Sequence, residues 1–218
     1  MPAKNALKLY AENTYYHLYN RGVNKCEIFS DASDYKKFLS YLKLYLLPIN
    51  LQVESLKNRP PSHQLKNYAD RLKLLAYCLM PNHFHLLVWQ QDAEAINFFM
   101  RSFSVKYSMY FNRIHKRIGP LFQGVYKAVI VENEPQLVYL SKYIHRNPGD
   151  LPSGRVLEDY RYSSYPNYLG KFRQNWLKPD DIIDLFSKTN PLLNYKSFVE
   201  ETDERDLVLI KNQVLEEV

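Results

Sequence analysis

The sequence predicts an α+β protein: a ferredoxin-like βαββαβ sandwich, with an antiparallel sheet and helices on one face, followed by a C-terminal helical extension. Two observations predict it. Segments of strand length and segments of helical period follow one another as strand, helix, strand, strand, helix, strand, helix, and the first six make the βαββαβ order. The chain has 218 residues, 46% of them apolar, which fits one medium domain with a sizeable core.

Thr14–Arg21, rich in strand-forming aromatics, is the first strand and ends at Gly22. Ser30 to Asp34 offers helix caps, and Phe38, Leu39, Leu42, Tyr45 and Leu46 then recur at helical spacing until Pro48. Residues 48–70, with Pro48, Pro60 and Pro61 among polar side chains, read as an inserted excursion. Leu74–Leu79 and Leu86–Trp89 are the next two strands, broken by Met80-Pro81-Asn82. Asp92–Lys116 follows as a helix, with Ile96, Phe99, Met100, Phe103, Tyr107 and Tyr110 on one side. Gly119-Pro120 ends it, Leu121–Val131 reads as the last strand, and Asn133 can cap a helix over Glu134–Arg146 that stops at Pro148. Residues 149–175 look irregular. Residues 176–218 form the extension, helical in pattern through Ile182, Ile183, Leu185 and Phe186 and again over Leu207–Leu215.

The net charge of +6 is unevenly spread, because residues 180–218 hold 10 acids and 4 bases while the rest is strongly basic. A basic body with 19 tyrosines suits a polyanion whose bases stack on aromatic rings. Cys26 and Cys78 are too few and too far apart for a zinc knuckle or a disulfide framework, and read as reduced thiols. With no signal peptide and no membrane-length apolar run, the expected location is the cytoplasm.

Within Ala76–Gln90 lie His83 and His85 on either side of Phe84. Side chains alternate faces along a strand, so the two imidazoles point one way, able to share one ion, and Phe84 points into the core. About sixty residues later, Tyr143 and Asn147 stand four apart on the final turn of a helix and share a face. A tyrosine hydroxyl can attack phosphorus, and an amide oxygen can complete a metal shell. Two imidazoles and one amide oxygen leave positions open for phosphate oxygens on Mg²⁺ or Mn²⁺. A buried tyrosine and a helix-ending asparagine also serve packing alone. Tyr126 and Tyr139 are rival nucleophiles, and Tyr143 is preferred because it alone lies four residues before Asn-Pro. His17 and His145 read as surface or hydrogen-bonded histidines. The cations Arg101, Lys106, Arg113, Lys116 and Arg117 on and after the second helix either complement its dipole or face phosphates, and Arg21, Lys127 and Arg146 are further candidate phosphate contacts or solvated surface charges.

Four motifs occur in order: Tyr16-His17-Leu18-Tyr19-Asn20-Arg21-Gly22, Met80-Pro81-Asn82-His83-Phe84-His85, Tyr143-Ile144-His145-Arg146-Asn147-Pro148 and Asp159-Tyr160-Arg161-Tyr162-Ser163-Ser164-Tyr165. Together they resemble the single-tyrosine HUH (His-hydrophobic-His) transposases, in the REP-associated subgroup of the IS200-like transposases, over roughly residues 10–170. The resemblance implies a catalytic domain at 1–175; the excursion at 48–70 and the extension at 176–218 depart from it, and the extension's negative charge argues for a packing or regulatory role over phosphate contact. It implies that His83, His85 and Asn147 hold a divalent ion. Tyr143 would attack single-stranded DNA beside a hairpin, leaving a 5′-phosphotyrosine link and a free 3′-OH. A monomer is favoured, although some relatives are dimers that exchange the tyrosine helix. The alternatives are a replication-initiator or relaxase-like nickase, which often uses extra tyrosines or a third histidine, and a nucleic-acid-binding protein that has lost cleavage.

Overall fold

The computed structural model describes residues 10–52, 66–151, 156–189 and 194–201. Four strands, β1 (Thr14–Arg21), β2 (Leu72–Met80), β3 (His83–Gln90) and β4 (Lys127–Ile130), form one sheet in the order β2-β3-β1-β4 with every neighbouring pair antiparallel. This is the βαββαβ sheet expected from the order of elements. Helix α1 (Ala32–Leu46) connects β1 to β2, and α2 (Ala95–Ile114) connects β3 to β4. Asp31 caps α1, its side chain accepting from the backbone N–H groups of Ser33 and Asp34.

The two faces of the sheet are covered by different elements. Tyr16, Leu18, Tyr77, Phe84, Leu86 and Val88 point to the face on which α1 and α2 lie, against Phe38, Leu42, Phe99, Phe103 and Tyr107. Leu75, Ala76, Cys78, Met80 and Leu87 point to the other. There they meet α3 (Glu134–Arg146), the helical turn α4 (Tyr165–Tyr168), α5 (Asp180–Thr189) and α6 (Tyr195–Glu200). The single helical layer expected from the sequence therefore holds for the two crossover helices, and the later helices build a second layer.

Some boundaries differ from expectation. The predicted strand over Leu121–Val131 shrinks to Lys127–Ile130. Leu121 and Phe122 are buried consecutively while Gln123, Gly124 and Val125 are exposed, so the alternation of a strand is lost and only an isolated Gly22–Phe122 bridge remains. Helix α2 is shorter than Asp92–Lys116, because Asp92 is held by Arg71 and Lys116 adopts a positive φ. The irregular stretch after α3 is tied to β2: Ser164 donates its N–H to Tyr77 O, Leu79 donates to Tyr162 O, and the Tyr160 hydroxyl donates to Leu79 O. Trp176 and Leu177 enter the first core, Ile182 and Phe186 the second. Residues 53–65 of the excursion at 48–70, and the helical pattern at Leu207–Leu215, lie outside the described residues. Among the described residues no helix is long and apolar enough to cross a membrane.

Candidate active site

The hairpin between β2 and β3 sets the site. Met80 pairs with His83, so only Pro81 and Asn82 turn the chain, and Pro81 O accepts from the N–H groups of both Ile28 and Phe29. With that register fixed, Phe84 is fully buried among Phe38 and Phe122, and His83 and His85 emerge on the opposite face. Their ring centroids are 5.0 Å apart and their planes nearly perpendicular.

Each imidazole has one nitrogen engaged by the protein. His83 Nδ1 lies 2.7 Å from Asn82 Oδ1, and His85 Nδ1 lies 2.8 Å from Nε2 of His17, which sits on the same face of β1. The other nitrogens turn towards Asn147. His83 Nε2 is 3.5 Å from Asn147 Oδ1, and His85 Nε2 is buried without a hydrogen-bond partner. Asn147 follows α3 directly. Its Nδ2 donates to Tyr143 O at 2.9 Å, which leaves Oδ1 for the imidazoles. On the same turn the half-buried Tyr143 ring stands edge-on to His85 at 5.6 Å and to His17 at 6.3 Å.

Burial pushes the His83 imidazole down to about 4, with the nearby Arg21 charge acting in the same direction and the Asn147 contact opposing. His85 is pushed well below its ordinary value by burial first, then by His83 and His17, with Asn147 again opposing. Both rings are neutral at neutral pH, the form that ligates metals. An orphaned, buried Nε2 beside a second Nε2 and an amide oxygen is a donor set that fits a divalent ion. Among the described residues no group of three His, Cys, Asp or Glu side chains could hold one. The third protein donor here would be an amide, and the remaining positions fall to water or phosphate.

The other expected contacts divide. Arg21 ends β1 opposite His83 and donates through Nε and Nη2 to Gln123 Oε1 at 3.2 and 3.1 Å. Lys127 pairs with Tyr19 across β1 and β4, which puts it on the histidine face. Arg101, Lys106, Arg113, Lys116 and Arg117 belong to α2 or the residues after it, in the layer on the far side of the sheet. There Lys106 lies over Tyr41 and Arg117 over Phe111. Arg146 donates from Nη1 to the carbonyls of Val199, Glu200 and Glu201. Tyr126 belongs to the α1–α2 core and bonds to Tyr10, and Tyr139 packs on Phe198, so neither stands at the histidines. His17 and His145 are both buried and hydrogen-bonded. Reading the sequence missed Asn82 and Gln123 as the groups that hold His83 and Arg21. The adjacency of Asn82 to His83 was the available signal for the first, whereas Gln123 is 102 residues from Arg21 and left none.

Residues 62–147 match the family model described as "Transposase IS200 like", a span that contains His83, His85 and Tyr143 and ends on Asn147. No curated protein matches the sequence. Among solved structures the chain is similar to "Structure of the REP associates tyrosine transposase bound to a REP hairpin", with a TM-score of 0.53 and 12% identity. That similarity covers 81% of this chain and 92% of the other, and it is one of fold.

Proposed function

We propose that this chain, which carries an IS200-like transposase domain, cleaves and rejoins single-stranded DNA beside a hairpin through a covalent tyrosine intermediate. One observation carries the reading. Tyr143, His83, His85 and Asn147 come from two distant parts of the sequence and converge on one side of the sheet within a single chain. The relative of similar fold is described as bound to a REP hairpin, which supports a hairpin-bearing DNA as partner.

In the proposed reaction Tyr143 Oη attacks the scissile phosphorus. The Oη–P bond forms as the P–O3′ bond breaks, the tyrosine proton is lost, and the departing 3′ oxygen takes up a proton to leave a free 3′-OH. The 5′-phosphate stays on the tyrosine, so its bond energy is kept and a 3′-OH can reverse the step without a nucleotide cofactor. A Mg²⁺ or Mn²⁺ ion held by His83, His85 and Asn147 supplies charge neutralisation at the phosphate and the leaving oxygen when bound. His17 and Asn82 fix the tautomers of the two ligating rings. Arg21 and Lys127 reach the flanking phosphates, whereas Arg146 is committed to backbone carbonyls and the α2 cations lie away from the reacting bond. His17 Nε2 is taken by His85, which disfavours a relaxase-like site with a third histidine ligand. We further propose that it works as a monomer in the cytoplasm, with Tyr143 serving the histidines of its own chain.

The test is incubation of the protein with labelled hairpin-bearing single strands and Mn²⁺ or Mg²⁺, followed by denaturing electrophoresis. A metal-dependent covalent band that is lost in Tyr143→Phe and in His83→Ala is the expected result. DNA binding with no adduct on any strand of a random hairpin pool would favour the binding-only alternative.

A further inference from the structure

Helix α3 presents Tyr143 to the histidines with one face and grips the chain's own tail with another. Tyr195, the first residue of α6, is buried with its hydroxyl 2.8 Å from Ser141 Oγ and 2.9 Å from His145 Nδ1. His145 Nε2 is in turn 2.8 Å from Ser164 Oγ, and Ser164 Oγ accepts from Tyr77 N–H on β2. Ser141 Oγ also donates to Val138 O and Ser164 Oγ to Tyr77 O at 3.2 Å, so an unbroken polar chain runs from α3 through Tyr195 and His145 to β2. Two further contacts join α3 to α6. Arg146 Nη1 lies 2.8 to 3.1 Å from three carbonyls at the end of α6, and Lys142 Nζ sits 4.8 Å from the Phe198 ring centroid.

We propose that Asn194–Glu201 is a clamp that fixes the nucleophile helix on its own sheet, with Tyr195 and Arg146 as positioning residues acting through Tyr143. The proposal rests on the reading of Tyr143 as nucleophile. The physical reason for a single orientation lies in His145. It is fully buried, and both of its ring nitrogens find partners only in one rotation of α3, between a tail residue and a residue bonded to β2. Turning the helix by one residue, about 100°, would leave that imidazole and the Tyr195 hydroxyl unpaired in an apolar setting and carry Tyr143 away from His85. The tail thus sets where the reacting oxygen stands without touching the DNA.

The test compares wild type with Tyr195→Phe, which keeps the ring and removes the hydroxyl, and with Arg146→Ala and Arg146→Lys, after circular dichroism has established that each is folded. Amide hydrogen exchange should quicken over Glu134–Arg146 in Tyr195→Phe and Arg146→Ala and stay unchanged in β1 and β3. The single-turnover rate of adduct formation should fall roughly 10- to 100-fold, the cost of about 1 Å of misplacement, with unchanged DNA affinity. Arg146→Lys, which keeps a cation facing the carbonyls, should recover part of the rate. Unchanged exchange in α3 overturns the clamp, as do wild-type rates in Tyr195→Phe and Arg146→Ala. If wild type itself forms no adduct, the proposed function fails and the exchange measurement alone decides the clamp.

Discussion

The two faces of the sheet are made from alternate residues of the same strands and do different work. On β3, Phe84, Leu86 and Val88 enter a core of stacked aromatics with α1 and α2, while His83 and His85 emerge on the side of α3. On β1, Leu18 and Tyr16 face that core while His17 and Tyr19 flank His85. The first face is almost wholly apolar, and its order comes from burial and ring geometry. The second carries buried imidazoles that burial disfavours as charged groups, held in place by hydrogen bonds. Both faces bury apolar clusters, but the second also holds the histidines, whose arrangement matters more than their contribution to stability. Changes on the two faces should therefore separate activity from stability.

The largest expected effect is on activity alone. Tyr143→Phe removes one hydroxyl from a half-buried ring, so melting temperature should hardly move, while adduct formation should fall by roughly a thousandfold or more. A chelator should reproduce the loss in wild type. Phe84→Ala, between the two histidines but on the opposite face of β3, is the converse substitution. Emptying that fully buried site should cost about 3–5 kcal/mol, read as a shifted denaturant midpoint. Rates per folded molecule should fall much less.

Acid distinguishes the faces without mutation. His83 and His145 have folded-state values of about 4 and about 3, below the ordinary 6.5. A lowered folded value means that the unfolded chain binds more protons, so stability is full above about pH 6.5 and declines as pH falls towards 4. In chelator, His83 alone should account for up to roughly 3 kcal/mol across that window, measured by denaturant titration at several pH values. His145→Gln should flatten part of the decline, whereas substitutions on the α1–α2 face should leave its shape unchanged.

Two smaller effects follow. His17→Ala removes the partner of His85 Nδ1 and should weaken Mn²⁺ binding by roughly 10- to 100-fold, measured by calorimetry in the presence of uncleavable DNA. Asn133→Ala removes the cap of α3 and should cost about 1 kcal/mol.

How much of this was legible follows from the range of the interactions. β1, α1 and α3 were located to within a residue or two, because each has a local signal: strand-forming aromatics in Thr14–Arg21, the capping residues of Ser30 to Asp34, and Asn133 followed by Pro135. The pairing of His83 with His85 was likewise local, since two residues on a strand share a face. Tyr143 and Asn147 could be read as a pair from helical spacing, yet their distance from the histidines was set by tertiary packing and entered only through the resemblance. Nothing local indicated that Arg146 would cap α6 or that His145 would bond Tyr195, 50 residues away. The expected strand at Leu121–Val131 failed for a related reason. Leu121 and Phe122 are buried by the α1–α2 core, which overrides the strand propensity of the run.

The most direct test of the central claim is to map the covalent adduct. Wild-type protein would be trapped with a hairpin-bearing single strand in Mn²⁺, digested with protease and nuclease, and the modified peptide sequenced by mass spectrometry. The expected product is a 5′-phosphonucleotide on Tyr143 alone. A nucleotide on Tyr19, Tyr139 or any other tyrosine, or one joined through a 3′-phosphate, would contradict the assignment of Tyr143 as the nucleophile.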